Sequence, residues 1–146
     1  VSHPRFAQLR APLLAAVAGL ALALALPGPG WALRAPVWDR APVWIHGDLQ
    51  AGNLLAQQGR LSAVIDFGGL GVGDPACDLM VAWNLFPAKA RAAFRAALAV
   101  DDATWARGRG WALSFGVIAL PYYQHTNPGL AGIARQAIEA VIQTHS

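Results

Sequence analysis

The sequence predicts an α+β fold, mostly helical with one small β-hairpin, and three observations carry that reading. Hydrophobic residues make up 55% of the 146-residue chain and charged residues only 13%, far from the composition of chains that stay disordered. From residue 76 onward, long Ala- and Leu-rich stretches are parted only by Pro87, Asp101-Asp102 and Asn127-Pro128-Gly129, which is how successive helices are punctuated. Ahead of them, two apolar runs flank Gln57-Gln58-Gly59-Arg60, a hairpin signature with glycine in the turn. The length suits a single domain over 1–146. It reads as a helix and Pro/Trp-rich connector over 1–42, loops and hairpin over 43–86, and a helical subdomain over 87–146.

In chain order, residues 4–26 read as a helix, because Ala and Leu dominate. Within it, 11–26 is uncharged and apolar, yet shorter than the roughly 18 residues that a membrane span needs. Arg5 and Arg10 before it and Pro27-Gly28-Pro29-Gly30 after it leave two readings open, a buried or partner-covered helix, which is favoured, and a targeting segment. Residues 31–42 form an irregular connector, since Pro36 and Pro42 each force an extended residue before them. Val43-Trp44-Ile45 is a short strand, and Leu54-Leu55 and Leu61-Ser62-Ala63-Val64-Ile65 are the arms of the hairpin. The stretch 67–75 holds four glycines and is expected to be irregular. Helices follow at about 76–86, 88–99, 103–120 and 130–145, with Pro87 at one start and Asp101 or Asp102 capping another.

The net charge of +3 comes from scattered arginines without a basic stripe, so no nucleic-acid partner is expected. Cys77 is the single cysteine. It can form no internal disulfide and reads as a packing residue in a cytoplasmic protein.

Chemistry concentrates in His46-Gly47-Asp48-Leu49-Gln50-Ala51-Gly52-Asn53 and Val64-Ile65-Asp66-Phe67-Gly68. An Asp that receives a hydroxyl proton, an Asn five positions later on a metal, and a second Asp on a loop after a hairpin strand form the pattern of phosphoryl transfer from ATP. Asp48 is thus the candidate catalytic base, and Asn53 and Asp66 the candidate magnesium (Mg2+) ligands, their oxygens suiting a hard cation. Asp74 and Asp78 read as caps and loop braces for the helix near Ala76, and His46 as a brace of its own loop. His3, His125 and His145 receive no role. Tyr122-Tyr123 and Trp83, Trp105 and Trp111 read as core, with some available to line an acceptor pocket. Each short motif alone is weak; their order and the hairpin between them are specific.

His46-Gly47-Asp48-Leu49, Gly52-Asn53-Leu54-Leu55, Val64-Ile65-Asp66-Phe67-Gly68 and Gly73-Asp74-Pro75-Ala76 with Asp78-Leu79 resemble the aminoglycoside phosphotransferase and choline kinase-like family. The resemblance covers about 43–86. It implies a protein-kinase-like C-terminal lobe, ATP and Mg2+, and a small-molecule hydroxyl acceptor, antibiotic-like or amino-alcohol-like. It also implies an N-terminal lobe with a Lys–Glu pair holding the phosphates. The only Lys is Lys89 and the only Glu is Glu139, both downstream, so that lobe is expected to be absent and activity alone to be small. The 11–26 helix is then expected to be partly uncovered and to favour self-association. Gln50-Ala51 stands where many relatives carry His-Pro, a position expected to face no essential chemistry. A protein kinase is disfavoured, because Gly47 replaces the Arg of the catalytic triplet and no Ala-Pro-Glu follows. The alternative is an inert binding module that retains the motif. The acids of 79–146 are Asp101, Asp102 and Glu139 alone, which argues against a polycationic acceptor.

Overall fold

The computed structural model describes residues 34–143; the 4–26 helix, with its apolar 11–26 run, lies outside them. Strand β1 (Val43–Ile45) pairs antiparallel with β4 (Gly71–Gly73), in the register Val43 to Gly73 and Ile45 to Gly71. Inside that pair sits the hairpin of β2 (Leu54–Gln57) and β3 (Arg60–Val64), with Leu54 opposite Val64 and a bulge after Leu55. Gln58 and Gly59 have φ of 52° and 75°, positive at both central positions as a type I′ hairpin turn requires. The two nested ladders leave one loop on each side, 46–53 and 65–70, and hold them next to each other.

The glycine-rich stretch 67–75 is therefore not irregular throughout, as its composition suggested. It contains a 3-10 turn at Phe67–Gly69 and the strand β4. Ladder bonds to β1 override the weak strand preference of Gly71 and Gly73, and glycine in a strand commonly marks close backbone approach. Between the two loops that approach is explicit: a Cβ on Gly47 (φ 82°) would stand 2.2 Å from the carbonyl oxygen of Gly69.

The expected helix at 76–86 is mostly a 3-10 helix, Pro75–Met80, followed by a short α1 (Val81–Asn84). Asp74 caps it through the Ala76 N–H at 3.0 Å, and Asp78 is turned toward the 46–47 backbone. Helix α2 (Ala88–Leu98) closes on Ala99 in the left-handed region. Helix α3 (Asp102–Tyr123) starts at the cap Asp101, whose carboxylate accepts from Thr104 N–H at 2.7 Å. It runs past Pro121, which lies close enough to the end that only a last-turn bond is forgone. Helix α4 (Pro128–Gln143) has proline in its first turn, and Asn127 accepts from Leu130 N–H at 3.1 Å.

The core lies among α1, α3, α4 and the 3-10 helix before α1, with Trp83 fully buried at its centre. Trp105 packs on Trp83 at 4.6 Å between ring centroids. Small residues let the helices close in. Gly108 faces Leu79, and Gly116 faces Ile138 and the Ala134 carbonyl. No helix among the described residues is long and apolar enough to cross a membrane.

Candidate active site

The two loops are joined by a backbone hydrogen bond and by the His46 ring, and Asp78 anchors the first of them. Asp78 accepts from the N–H groups of His46 at 2.7 Å and Gly47 at 2.9 Å, fixing the entry of the 46–53 loop onto the 3-10 helix. His46 is buried, and its ring spans the gap between the loops: Nε2 lies 2.9 Å from the Ile65 carbonyl, while Nδ1 faces the Asp48 N–H at 3.3 Å. A backbone N–H can only donate, so Nδ1 accepts, and the proton sits on Nε2 and is donated to Ile65. Phe67 covers the ring at 4.8 Å. Ile65 N–H also bonds the Asn53 carbonyl at 2.9 Å, which places Asp66 one residue beyond Asn53's neighbour.

Asn53 is buried at the end of a 3-10 turn, Ala51–Asn53. Its Nδ2 donates to the Asp48 carbonyl at 2.8 Å and to Asp48 Oδ2 at 3.1 Å. Both partners are acceptors, so the amide nitrogen must face them, and Oδ1 is left without a partner among the described residues. Gln50 Nε2 donates to the same Asp48 Oδ2 at 3.0 Å. Gln50 thus orients the candidate base, which corrects the expectation that this position faces no essential chemistry. A two-residue side-chain reach across a tight loop gives no signal in the sequence. Asp48 Oδ1 carries no hydrogen bond among the described residues.

Asp66 adopts φ 61°, ψ 64°, a left-handed conformation that Asp tolerates better than most residues. Its carboxylate has neither an ion-pair nor a hydrogen-bond partner among the described residues. The Asn53 amide oxygen and the Asp66 carboxylate are thus oxygen ligands left without a partner among the described residues, on adjacent loops. That donor set fits a hard divalent cation such as Mg2+.

Asp74 is held by Arg107, with Nε at 2.7 Å from Oδ2 and Nη2 at 3.2 Å from Oδ1. Arg107 also donates to the Pro36 carbonyl at 2.6 Å and so ties the connector to the helices. This fork was not anticipated, since no local pattern links residues 33 positions apart. Cys77 lies beside these acids; burial first, then the charge of Asp78, pushes its thiol up to about 11. It is a neutral packing group rather than a nucleophile. The acid at the start of α3, Asp101, is held below the usual carboxylate range, chiefly by the Thr104 N–H it caps.

From Asp48 a cavity of about 830 Å3 extends along α3. Trp111, Phe115, Ile118 and Tyr122 form its wall, with Met80 and Tyr123 beside them. Trp83 is core, whereas Trp111 and Tyr122 line the cavity and stand half exposed. Residues 111, 115, 118 and 122 share one helix face, but the neighbouring face is apolar too, so sequence pattern alone does not say which of the two lines the cavity.

The sequence pattern of the phosphotransferase enzyme family matches residues 3–111. The chain belongs to that family. Among solved structures, this phosphotransferase-family chain is similar to a thermostable mutant of aminoglycoside phosphotransferase APH(4)-Ia in its apo form. The identity is 23% and the TM-score 0.51, over 95% of this chain and 45% of that one. A ternary complex of that enzyme with AMP-PNP and hygromycin B is similar to the same degree. The likeness shows a kinase-like fold, mostly helical with small antiparallel ladders, and the chain spans less than half the length of those structures. No curated protein matches it.

Proposed function

We propose that this chain carries the catalytic and metal loops of an ATP-dependent phosphotransferase acting on a hydroxyl of a small molecule. The observation that carries the reading is the arrangement of Asp48. One carboxylate oxygen is bound by Asn53 and Gln50, the other has no hydrogen bond among the described residues, and the residue lines a cavity beside the Asp66 loop. The acceptor oxygen forms its bond to the γ-phosphorus while the bond from that phosphorus to the β–γ bridging oxygen breaks. The hydroxyl proton goes to Asp48 Oδ1, and ADP leaves. Asn53 Oδ1 and the Asp66 carboxylate are the groups that would hold Mg2+, which when bound neutralises charge on the phosphates.

The relatives of known structure are more than twice as long, and APH(4)-Ia has been captured with AMP-PNP and hygromycin B. Nucleotide binding by this chain alone is therefore expected to be weak, resting on the metal side of the triphosphate. Titration of Mg-ATP into the chain, with Asp66→Ala alongside, tests the reading. The expected result is magnesium-dependent binding that weakens at least tenfold in the variant. Equal binding in both proteins, or none in either, would favour an inert module that retains the motif.

A further inference from the structure

We propose that the acceptor at this site is an alcohol with an apolar body and at most one positive charge, bound along α3; this rests on the phosphotransferase reading above. The cavity next to Asp48 measures about 830 Å3, within the range of roughly 300–1,000 Å3 typical of small-molecule sites. Its long wall is a single stripe of α3, Trp111, Phe115, Ile118 and Tyr122, one residue per turn. Trp111, Ile118 and Tyr122 are 51%, 48% and 50% exposed, too open to be spent on the core and contiguous with the candidate base. Large apolar side chains left in the open beside a reacting group indicate a ligand body that covers them.

Charge at the wall points the same way. The carboxylates there belong to Asp48 and Asp74, and Asp74 is already engaged by both arms of the Arg107 guanidinium. Asp48 alone remains to face a cation. A molecule with several ammonium groups would have to strip water from each of them against an apolar wall without a counter-charge. A single ammonium is tolerable, over the face of Trp111 or Tyr122. The Ser114 hydroxyl is the polar handle on the same helix.

The test is calorimetric titration of the full chain, without nucleotide, with two probes: 2-(2-naphthyl)ethanol as an apolar alcohol and hygromycin B as a multiply charged amine. Ile118→Arg and Trp111→Ala alter exposed positions and are checked for fold by circular dichroism; Lys89→Ala, exposed on α2 away from the cavity, is the control. The naphthyl alcohol is expected to bind wild type and Lys89→Ala alike, and to bind Ile118→Arg and Trp111→Ala at least tenfold more weakly, while hygromycin B gives no saturable binding. Tighter binding of hygromycin B than of the alcohol overturns the proposal. So does alcohol binding that both cavity variants leave unchanged, or binding of neither probe. Because this readout needs no nucleotide, its failure is distinct from failure of the Mg-ATP titration, which would strike the phosphotransferase reading alone.

Discussion

At the scale of single residues, the site depends on one side chain that has no chemistry of its own. Asp78 gathers the N–H groups of His46 and Gly47, at 2.7 and 2.9 Å, two residues before the candidate base. Hydrogen bonds to a carboxylate contribute about 1.5–3 kcal/mol each, and stranding the donors adds a desolvation cost. Gly47 is exposed, so its share is smaller. Asp78→Ala is therefore expected to lower unfolding free energy by about 3 kcal/mol in urea denaturation, with unchanged slope. A loss below about 0.5 kcal/mol would place this pair among ordinary surface contacts. Of the candidate site, the adjoining placement of Asp48, Asn53 and Asp66 and the bracing by Asp74 and Asp78 were legible from order and spacing, because residues close in sequence on two loops joined by a hairpin are brought together by that hairpin. Gln50 and Arg107 were not. Each acts through a side-chain reach, one across a tight loop and one across 33 positions, and neither leaves a local pattern.

Helix α3 shows the same division at the scale of elements. One face is small: Gly108, Ala112, Gly116 and Ala119 are buried, and a Cβ at Gly116 would stand 2.7 Å from Ile138 Cγ1 and 2.9 Å from the Ala134 carbonyl. The neighbouring face is aromatic and lines the cavity. With both faces apolar, the helix lacks the single polar side that marks an amphipathic segment, so sequence located it while leaving its facing open. The glycine-rich β4 was missed for a related reason, since its strand character comes from β1 and not from its own residues. Ala at Gly116 gains about 1 kcal/mol of helix propensity but must push α3 from α4, an overpacking cost of about 1–3 kcal/mol. Gly132 sits on α4 with open space where a methyl group would stand. Thermal denaturation is thus expected to show Gly116→Ala neutral to destabilised and Gly132→Ala stabilised by about 0.5–1 kcal/mol. The reverse order would mean that the close approach of α3 and α4 does not limit packing.

At the scale of the whole molecule, burial among the described residues is uneven, and the loops of the candidate site sit on the boundary. The largest fully buried side chains, Trp83, Val81 and Asn84, all belong to α1, and α1 packs against α3 and α4. On the other side, the β2–β3 hairpin leaves Leu55 46% and Leu61 64% exposed, and β1–β4 leaves Trp44 74% and Val72 55% exposed. A two-stranded hairpin with so little apolar cover is marginal by itself, and local opening is least costly where few buried contacts must break. The loops differ from the hairpin they flank: His46 is buried, and the Asn53–Ile65 backbone bond and the His46–Ile65 bond tie them to each other. Hydrogen exchange followed by mass spectrometry is therefore expected to slow in three steps. Amides of 55–63 exchange first, those at 46–53 and 65 are slower, and those of α3 and α4 around Gly116 and Ala134 exchange only through global unfolding. In Asp78→Ala the middle group should reach the rate of the hairpin while α3 and α4 keep their order. If the hairpin instead exchanged as slowly as α4, the nested ladders would themselves be a stable unit. The positions of Asp48 and Asp66 would then be set by the sheet and not, as the contacts indicate, by the helical core acting through Asp78 and His46.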